Sequence, residues 1–243
     1  MSSQELFTKD DVVWLVSPHA DDELLGAGGI LHTAKQAGAR IYILYVVVSG
    51  FRVANGGSDS YLHERLVEIQ NVIEALDVNG TDVLYTGSEY HLKLDVYPKY
   101  EILKWLEEQS EYSFNNVLPN IVLIPSEKHN HQDHRLVYEA CLSLVRNRME
   151  NTRKISWVLS YEIPGTGQVG LPGFKPNLFI KLSEETLAKK CELFKIYKSQ
   201  VAKPPSLRSV HAIKTLAQYR GMEAGWSYAE AYEVLRVKFN SEL

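Results

Sequence analysis

The sequence predicts an α/β fold: a Rossmann-like three-layer sandwich with a mostly parallel sheet and a helical C-terminal portion. Three observations carry this expectation. Apolar runs of strand length alternate with amphipathic stretches of helical spacing through the first two thirds of the 243 residues. One run, residues 41–48, is almost continuously β-branched, aromatic or leucine, as a strand covered on both faces requires. Strands that alternate with helices in this way pair in parallel, with right-handed crossovers.

In order along the chain, residues 12–16 read as a short strand and 24–38 as a helix that stops on Gly38. The strand at 41–48 leads into 50–60, a segment rich in Gly and polar residues. That segment is too long for a plain connection and is expected to gate a cleft. Residues 61–76 read as a helix with Leu62, Leu66, Ile69, Ile73 and Leu76 on one side. Strands follow at 82–86, 121–125 and 157–163, separated by helices at 100–111 and 135–148. Residues 165–176, rich in Gly and Pro, form a loop, and 178–182 is a strand. Ser183 is expected to cap a helix that reaches about Gln200, because Glu184 and Glu185 fill its first turn. Pro204-Pro205 breaks the chain, and 207–222 and 228–238 complete a helical tail. No internal repeat divides the chain, so one domain is the simplest organisation.

Composition excludes several classes. Twenty-six Lys and Arg stand against 30 Asp and Glu, a net charge of −4, which offers no basic surface to nucleic acid or anionic lipid. The longest apolar run has eight residues, against the roughly 20 that a membrane span needs, so no stable membrane insertion is expected. The opening residues, Met1 to Glu5, lack the basic-then-apolar pattern of a secretory signal. Cys141 and Cys191 form no CxxC pair and read as reduced, buried thiols, so a cytoplasmic protein is expected. The oligomeric state is left open.

Two clusters carry chemistry. Ser17-Pro18-His19-Ala20-Asp21-Asp22-Glu23 follows the first strand directly, at the edge where parallel sheets bind ligands. One imidazole and three carboxylates so close together are self-repelling without a cation or a basic partner. The bland alternative is an acid-rich helix start, with Asp22 and Glu23 favouring the helix dipole. His129-Asn130-His131-Gln132-Asp133-His134 follows another strand and holds three of the chain's eight histidines. A solvated histidine cluster is a poor account of it, because it lies between a buried strand and an amphipathic helix. Two His/Asp clusters at two strand ends suit a divalent metal. One His and one Asp from the first, with one His from the second, make a three-ligand set that leaves a position for water, as in catalytic zinc sites.

These residues resemble the PIG-L/LmbE-like zinc N-deacetylases, whose motifs read (A/P)-H-P-D-D-E and H-x-D-H. Here they are Pro18-His19-Ala20-Asp21-Asp22-Glu23 and His131-Gln132-Asp133-His134. Gly26-Ala27-Gly28-Gly29, Arg65 and Glu68, Lys198-Ser199-Gln200 and Ala229-Glu230-Ala231-Tyr232 are also similar to the family, so the likeness runs over most of the chain. Ala20 replaces a usual proline, which supplies turn rigidity and no ligand. The resemblance implies a single deacetylase domain over residues 1–243. It implies His19, Asp22 and His134 as ligands of Zn2+ and Asp21 as the base acting on the zinc-bound water; the mixed N/O ligand set itself also admits Fe2+. It implies His131 as the oxyanion stabiliser, with Asp133 holding that imidazole charged and oriented. The implied reaction is removal of an N-acetyl or other acyl group from an amino sugar, such as an N-acetylglucosamine conjugate.

Arg65 matches a position associated with substrate binding in the family, and Arg52 in the 50–60 segment is a further candidate contact. Tyr90, His91, Asp95 and Tyr161-Glu162 follow strands and are expected near the cleft, Glu23 to orient its loop, and His129 to lie at the surface. The rival readings are weaker. A dinucleotide-binding dehydrogenase fails because the glycines at 26, 28 and 29 lack the GxGxxG spacing and no ribose-binding acid ends the second strand. A metal-dependent phosphoester hydrolase also uses His/Asp clusters, commonly around two metals. A sugar- or nucleotide-binding module with a vestigial site is the third alternative.

Overall fold

The computed structural model of the protein describes residues 6–50, 61–146, 150–168 and 170–239. Strand β1 (Val12–His19) is buried along its whole length and feeds two cores. Val13 and Leu15 enter one, while Trp14 and Val16 enter the other, following the two-residue alternation of a strand. Then come α1 (Asp22–Gln36), β2 (Arg40–Val48), α2 (Leu62–Leu76) and β3 (Gly80–Thr86). A 3₁₀ turn at Leu94–Val96 leads to α3 (Lys99–Lys104), which widens into a π-helical turn at Trp105–Gln109. The short α4 (Phe114–Val117) precedes β4 (Ile121–Pro125), α5 (Gln132–Leu144), α6 (Glu150–Arg153) and β5 (Trp157–Tyr161). The chain ends with β6 (Leu178–Lys181), α7 (Glu184–Phe194), α8 (Val210–Ala224) and β7 (Ala229–Val237).

The strands form one seven-stranded sheet in the order β3-β2-β1-β4-β5-β7-β6. The first five pair in parallel, and β7 runs antiparallel between β5 and β6. Apolar side chains of α1, α2, α7 and α8 cover one face, and those of α3 and α5 cover the other. Because β1 lies between β2 and β4, the strand order reverses there. The reversal opens a crevice at the carboxyl ends of β1 and β4, where open α/β sheets place their ligands.

The α/β class and the mostly parallel sheet match the expectation, and several elements differ. Residues 228–238 are not a helix. Alanine, glutamate and leucine there are good helix formers, but antiparallel pairing to two strands outweighs that preference. The helix expected to reach Gln200 ends at Phe194, and turns carry the chain onward, while Ser183 does cap it by accepting from the Thr186 amide at 3.0 Å. Helix α2 turns Arg65 and Glu68 inward, whereas Leu66 is 37% exposed. The 50–60 segment expected to form a gate, beyond Gly50, lies outside the described residues, and Arg52 with it. Among the described residues no helix is long and apolar enough to cross a membrane.

The glycines of α1 have a packing reason. A Cβ on Gly26 would come within 2.3 Å of the Tyr161 ring and 2.8 Å of the Glu162 carbonyl oxygen. The helix therefore lies directly against the end of β5, and this close approach holds the β1–α1 turn in place.

Candidate metal centre and active site

The site is built on the turn that joins β1 to α1. His19 ends β1, and Asp22 opens α1. Asp21 between them has φ 125°, a backbone region that residues other than glycine seldom occupy. That conformation sends the two neighbouring aspartates in different directions. Glu23 secures the turn, as expected: its Oε2 accepts from the Asp21 amide at 3.0 Å, and its Oε1 from the Tyr197 hydroxyl at 2.6 Å. Burial pushes the Glu23 carboxyl up to about 7. Arg65 donates to the Ala20 carbonyl oxygen and, at 3.2 Å, to the Ser199 hydroxyl. Ser199 in turn donates to Glu68 from its amide at 2.7 Å and its hydroxyl at 2.6 Å.

The second wall is the start of α5. His131 is its N-cap, and its Nδ1 accepts from the Asp133 amide at 3.4 Å. Three positions on, His134 Nε2 reaches 3.1 Å from Asp22 Oδ2, which lies 3.3 Å from His19 Nδ1 and accepts from the His19 amide at 3.1 Å. His19, Asp22 and His134 are all buried, and each offers a ligand atom within 4.8 Å of the others'. His19 Nδ1 and Asp22 Oδ1 are buried with no hydrogen-bond partner. Burial opposes charge on both groups, yet their charged and hydrogen-bonding neighbours win. Asp22 is held well below the usual carboxylate range by His134 and His19, and His19 rises to about 9 beside Asp133 and Asp22. Two imidazoles and a carboxylate, with His19 Nδ1 and Asp22 Oδ1 unpartnered, are the kind of donors a divalent ion takes. The donor set fits such an ion.

Asp133 bonds a different imidazole from the one expected. Its Oδ2 lies 3.1 Å from His19 Nε2 and accepts from the Leu92 amide at 3.0 Å, whereas His131 Nδ1 is 3.7 Å away. Its carboxylate thereby fixes the His19 ring with Nδ1 turned toward Asp22, an arrangement common behind metal-ligating histidines. Because His131 Nδ1 is an acceptor, its proton resides on Nε2, which is buried without a partner. Burial and the neighbouring His19 hold this imidazole neutral.

Arg208, on the loop after Pro204-Pro205, was not foreseen. Its Nε donates to Asp21 Oδ2 at 3.0 Å, while Asp21 Oδ1 remains buried without a partner. Burial raises the Asp21 carboxyl, and Arg208 pulls the other way. A cavity of about 190 Å³ is lined by His19, Asp21, Arg65, His91, His131 and Arg208. A larger surface groove of about 680 Å³ beside His63 and Lys195 contains none of these groups.

Other candidates lie elsewhere. Tyr90 stacks on Tyr85 with ring centres 4.4 Å apart, and Asp95 accepts from Gln132 at 2.9 Å. The Tyr161 hydroxyl donates to the Val16 carbonyl oxygen at 2.9 Å, and Glu162 is bound to Arg220 at 2.5 and 2.7 Å. His129 is half-buried, not superficial, and stacks on His134 at 4.3 Å.

Comparison with known proteins agrees with this geometry. The family model PIG-L, described as GlcNAc-PI de-N-acetylase, matches residues 14–145, just over half of the chain and both histidine clusters. No curated protein matches the sequence. A conserved protein of Thermus thermophilus superposes with a TM-score of 0.69 at 24% identity, over 95% of this chain and 98% of its own. The N,N'-diacetylchitobiose deacetylase of Pyrococcus horikoshii, complexed with its inhibitor MPG, gives 0.69 at 18% identity, over 93% and 85%. GalB of Pseudomonas putida, a 4-carboxy-2-hydroxymuconate hydratase, gives 0.72 at 17% identity, over 96% and 99%. These likenesses establish a shared fold, and the family match spans both clusters: the chain belongs to the PIG-L family.

Proposed function

We propose that this protein is a metal-dependent N-deacetylase that hydrolyses the N-acetyl amide of an amino sugar such as an N-acetylglucosamine conjugate. One observation carries the reading: His19 Nδ1, Asp22 and His134 Nε2 converge in a buried set with unpartnered ligand atoms, and Asp21 lies beside them with one carboxylate oxygen free. One structural neighbour is a hydratase, so the fold alone supports no single reaction. The family model's description and the chitobiose deacetylase support the amino-sugar substrate. We assign His19, Asp22 and His134 as ligands and Zn2+ as the ion, with Fe2+ as the alternative that the same donors accept.

An ion held there supplies Lewis acidity, polarising a carbonyl and easing the ionisation of water near neutral pH. Asp21 accepts the proton of the attacking water on Oδ1 and passes it to the departing amine nitrogen. His131 donates from Nε2 to the former amide oxygen as negative charge grows there. Asp133 orients His19, and Arg208 orients Asp21. Arg65 lines the cavity with its Nε unpartnered, while its terminal nitrogens donate to the Ala20 carbonyl, Ser199 and Glu68 and so brace the turn. Continuity of one sheet from β3 to β6 supports a single deacetylase domain over residues 1–243. Two buried free thiols, Cys141 and Cys191, support a reducing compartment such as the cytoplasm.

The test is acetate release from a panel of N-acetylglucosamine conjugates, before and after chelation. Release that stops on chelation and returns with one equivalent of zinc supports the reading. Zinc-loaded protein that releases no acetate from any member overturns it.

A further inference from the structure

A second ligand set adjoins the first. His19, His91, His131 and Asp133 each present a ligand atom, and these atoms lie within 4.8 Å of one another. They converge from three separate segments: the end of β1, the loop between β3 and α3, and the start of α5. The rings of His19 and His131 are 4.4 Å apart, those of His91 and His131 5.0 Å, and those of His19 and His91 5.3 Å. Asp133 is fully buried beside them, and His131 Nε2 has no partner. Imidazole nitrogens grouped with a buried carboxylate are donors suited to divalent transition metals.

The two sets share His19, which turns Nδ1 toward Asp22 and Nε2 toward Asp133. With one ion on Nδ1, a second ion would take Nε2 only if that ring lost its remaining proton. The second set therefore reduces to His91, His131 and Asp133, with water completing the shell. Asp133 Oδ2 must also share its lone pairs with His19 and the Leu92 amide, which weakens this set relative to the first.

We infer that His91, His131 and Asp133 form a second, weaker site for a divalent transition metal, which Zn2+ fills when it is in excess. His91 is the distinctive member, because it belongs to neither histidine motif. Occupation of this site withdraws His131 Nε2 from the cleft. Excess zinc then slows turnover, a consequence that rests on the deacetylase reading, whereas uptake of the second ion does not. Two ions per chain would accordingly be no sign of phosphoester hydrolysis.

The experiment is a zinc titration of the metal-free full chain against a competing chromophoric chelator, for the native protein, His91→Ala, His91→Gln and His134→Ala. The native protein is expected to take up two ions in two steps. Both His91 variants should keep the tight step and weaken the second by at least the roughly 10–100-fold that loss of an outer-shell partner costs a metal site. His134→Ala should lose the tight step. A native protein that saturates at one ion in tenfold excess of zinc overturns the proposal, as does either His91 variant binding two ions with native affinity. Two-step binding in a protein that releases no acetate would uphold the second site while overturning the deacetylase reading.

Discussion

Arg208 Nε lies 3.0 Å from Asp21 Oδ2, a contact that spans 187 positions of sequence and ties the loop before α8 to the turn after β1. The guanidinium fixes one carboxylate oxygen and leaves the other, Oδ1, buried and without a partner. A base acts best when one oxygen is held and the other faces the proton it takes.

Arg208→Ala should therefore retain the metal and slow turnover, because Asp21 loses its fixed orientation. A displacement of about 1 Å in a reacting group can cost roughly 10²-fold, and a loss approaching that is expected in kcat. Arg208→Lys should recover only part of it, since an ammonium cannot reproduce the planar contact. Metal content and steady-state kinetics of both variants check this.

His131→Ala should also keep its tightly bound ion, because its side chain is not in the first ligand set. Removing one donor to a developing oxyanion typically costs about 3–4 kcal/mol, expressed in kcat. Equal turnover in His131→Ala and native protein, each with one zinc, would remove this residue from the mechanism.

Gly26→Ala tests how the site is held. Its new methyl would come within 2.3 Å of the Tyr161 ring and 2.8 Å of the Glu162 carbonyl oxygen. Overpacking of this kind costs roughly 1–3 kcal/mol. A loss of that size in the unfolding free energy from urea denaturation is expected, with weaker metal binding because α1 carries Asp22.

Lys190 and Glu230 form a second test, away from the chemistry. They are 4% and 5% exposed and lie 2.6 Å apart, and Glu230 also accepts from the Gly29 and Ile30 amides at 2.7 and 2.8 Å. Lys190→Met strands a buried carboxylate, at a cost of about 3–5 kcal/mol. The double variant Lys190→Met/Glu230→Gln should recover part of that loss, as denaturant unfolding will report.

The parts of the site that were legible in the sequence are those adjacent to strand ends. His19 ends β1, Asp21 and Asp22 follow it, and His131, Asp133 and His134 lie at the start of α5, so strand position and residue type together located them. Arg208 carries no local signal, because it reaches Asp21 through tertiary packing alone. Asp133 was legible as an orienting group, but which imidazole it bonds depends on a sub-ångström difference between 3.1 and 3.7 Å that spacing cannot encode. Strand β7 was obscured because its Ala, Glu and Leu residues favour a helix and its pairing partners lie far away in sequence. Tyr161 and Glu162 lie at the carboxyl end of β5, where cleft residues are expected, yet Gly26 draws α1 against them and closes that end.

The most direct test of the account separates the two neighbouring aspartates. Metal content and turnover are measured side by side for Asp21→Asn, Asp22→Asn and native protein, each equilibrated with one equivalent of zinc. Asp22→Asn should lose metal, because a neutral amide oxygen is a poorer ligand for a dication than a carboxylate. Asp21→Asn should keep the metal and the fold while turnover falls roughly 10²–10⁴-fold, the usual contribution of a general base. The account is contradicted if Asp22→Asn keeps the metal while Asp21→Asn loses it, or if Asp21→Asn retains both metal and full activity.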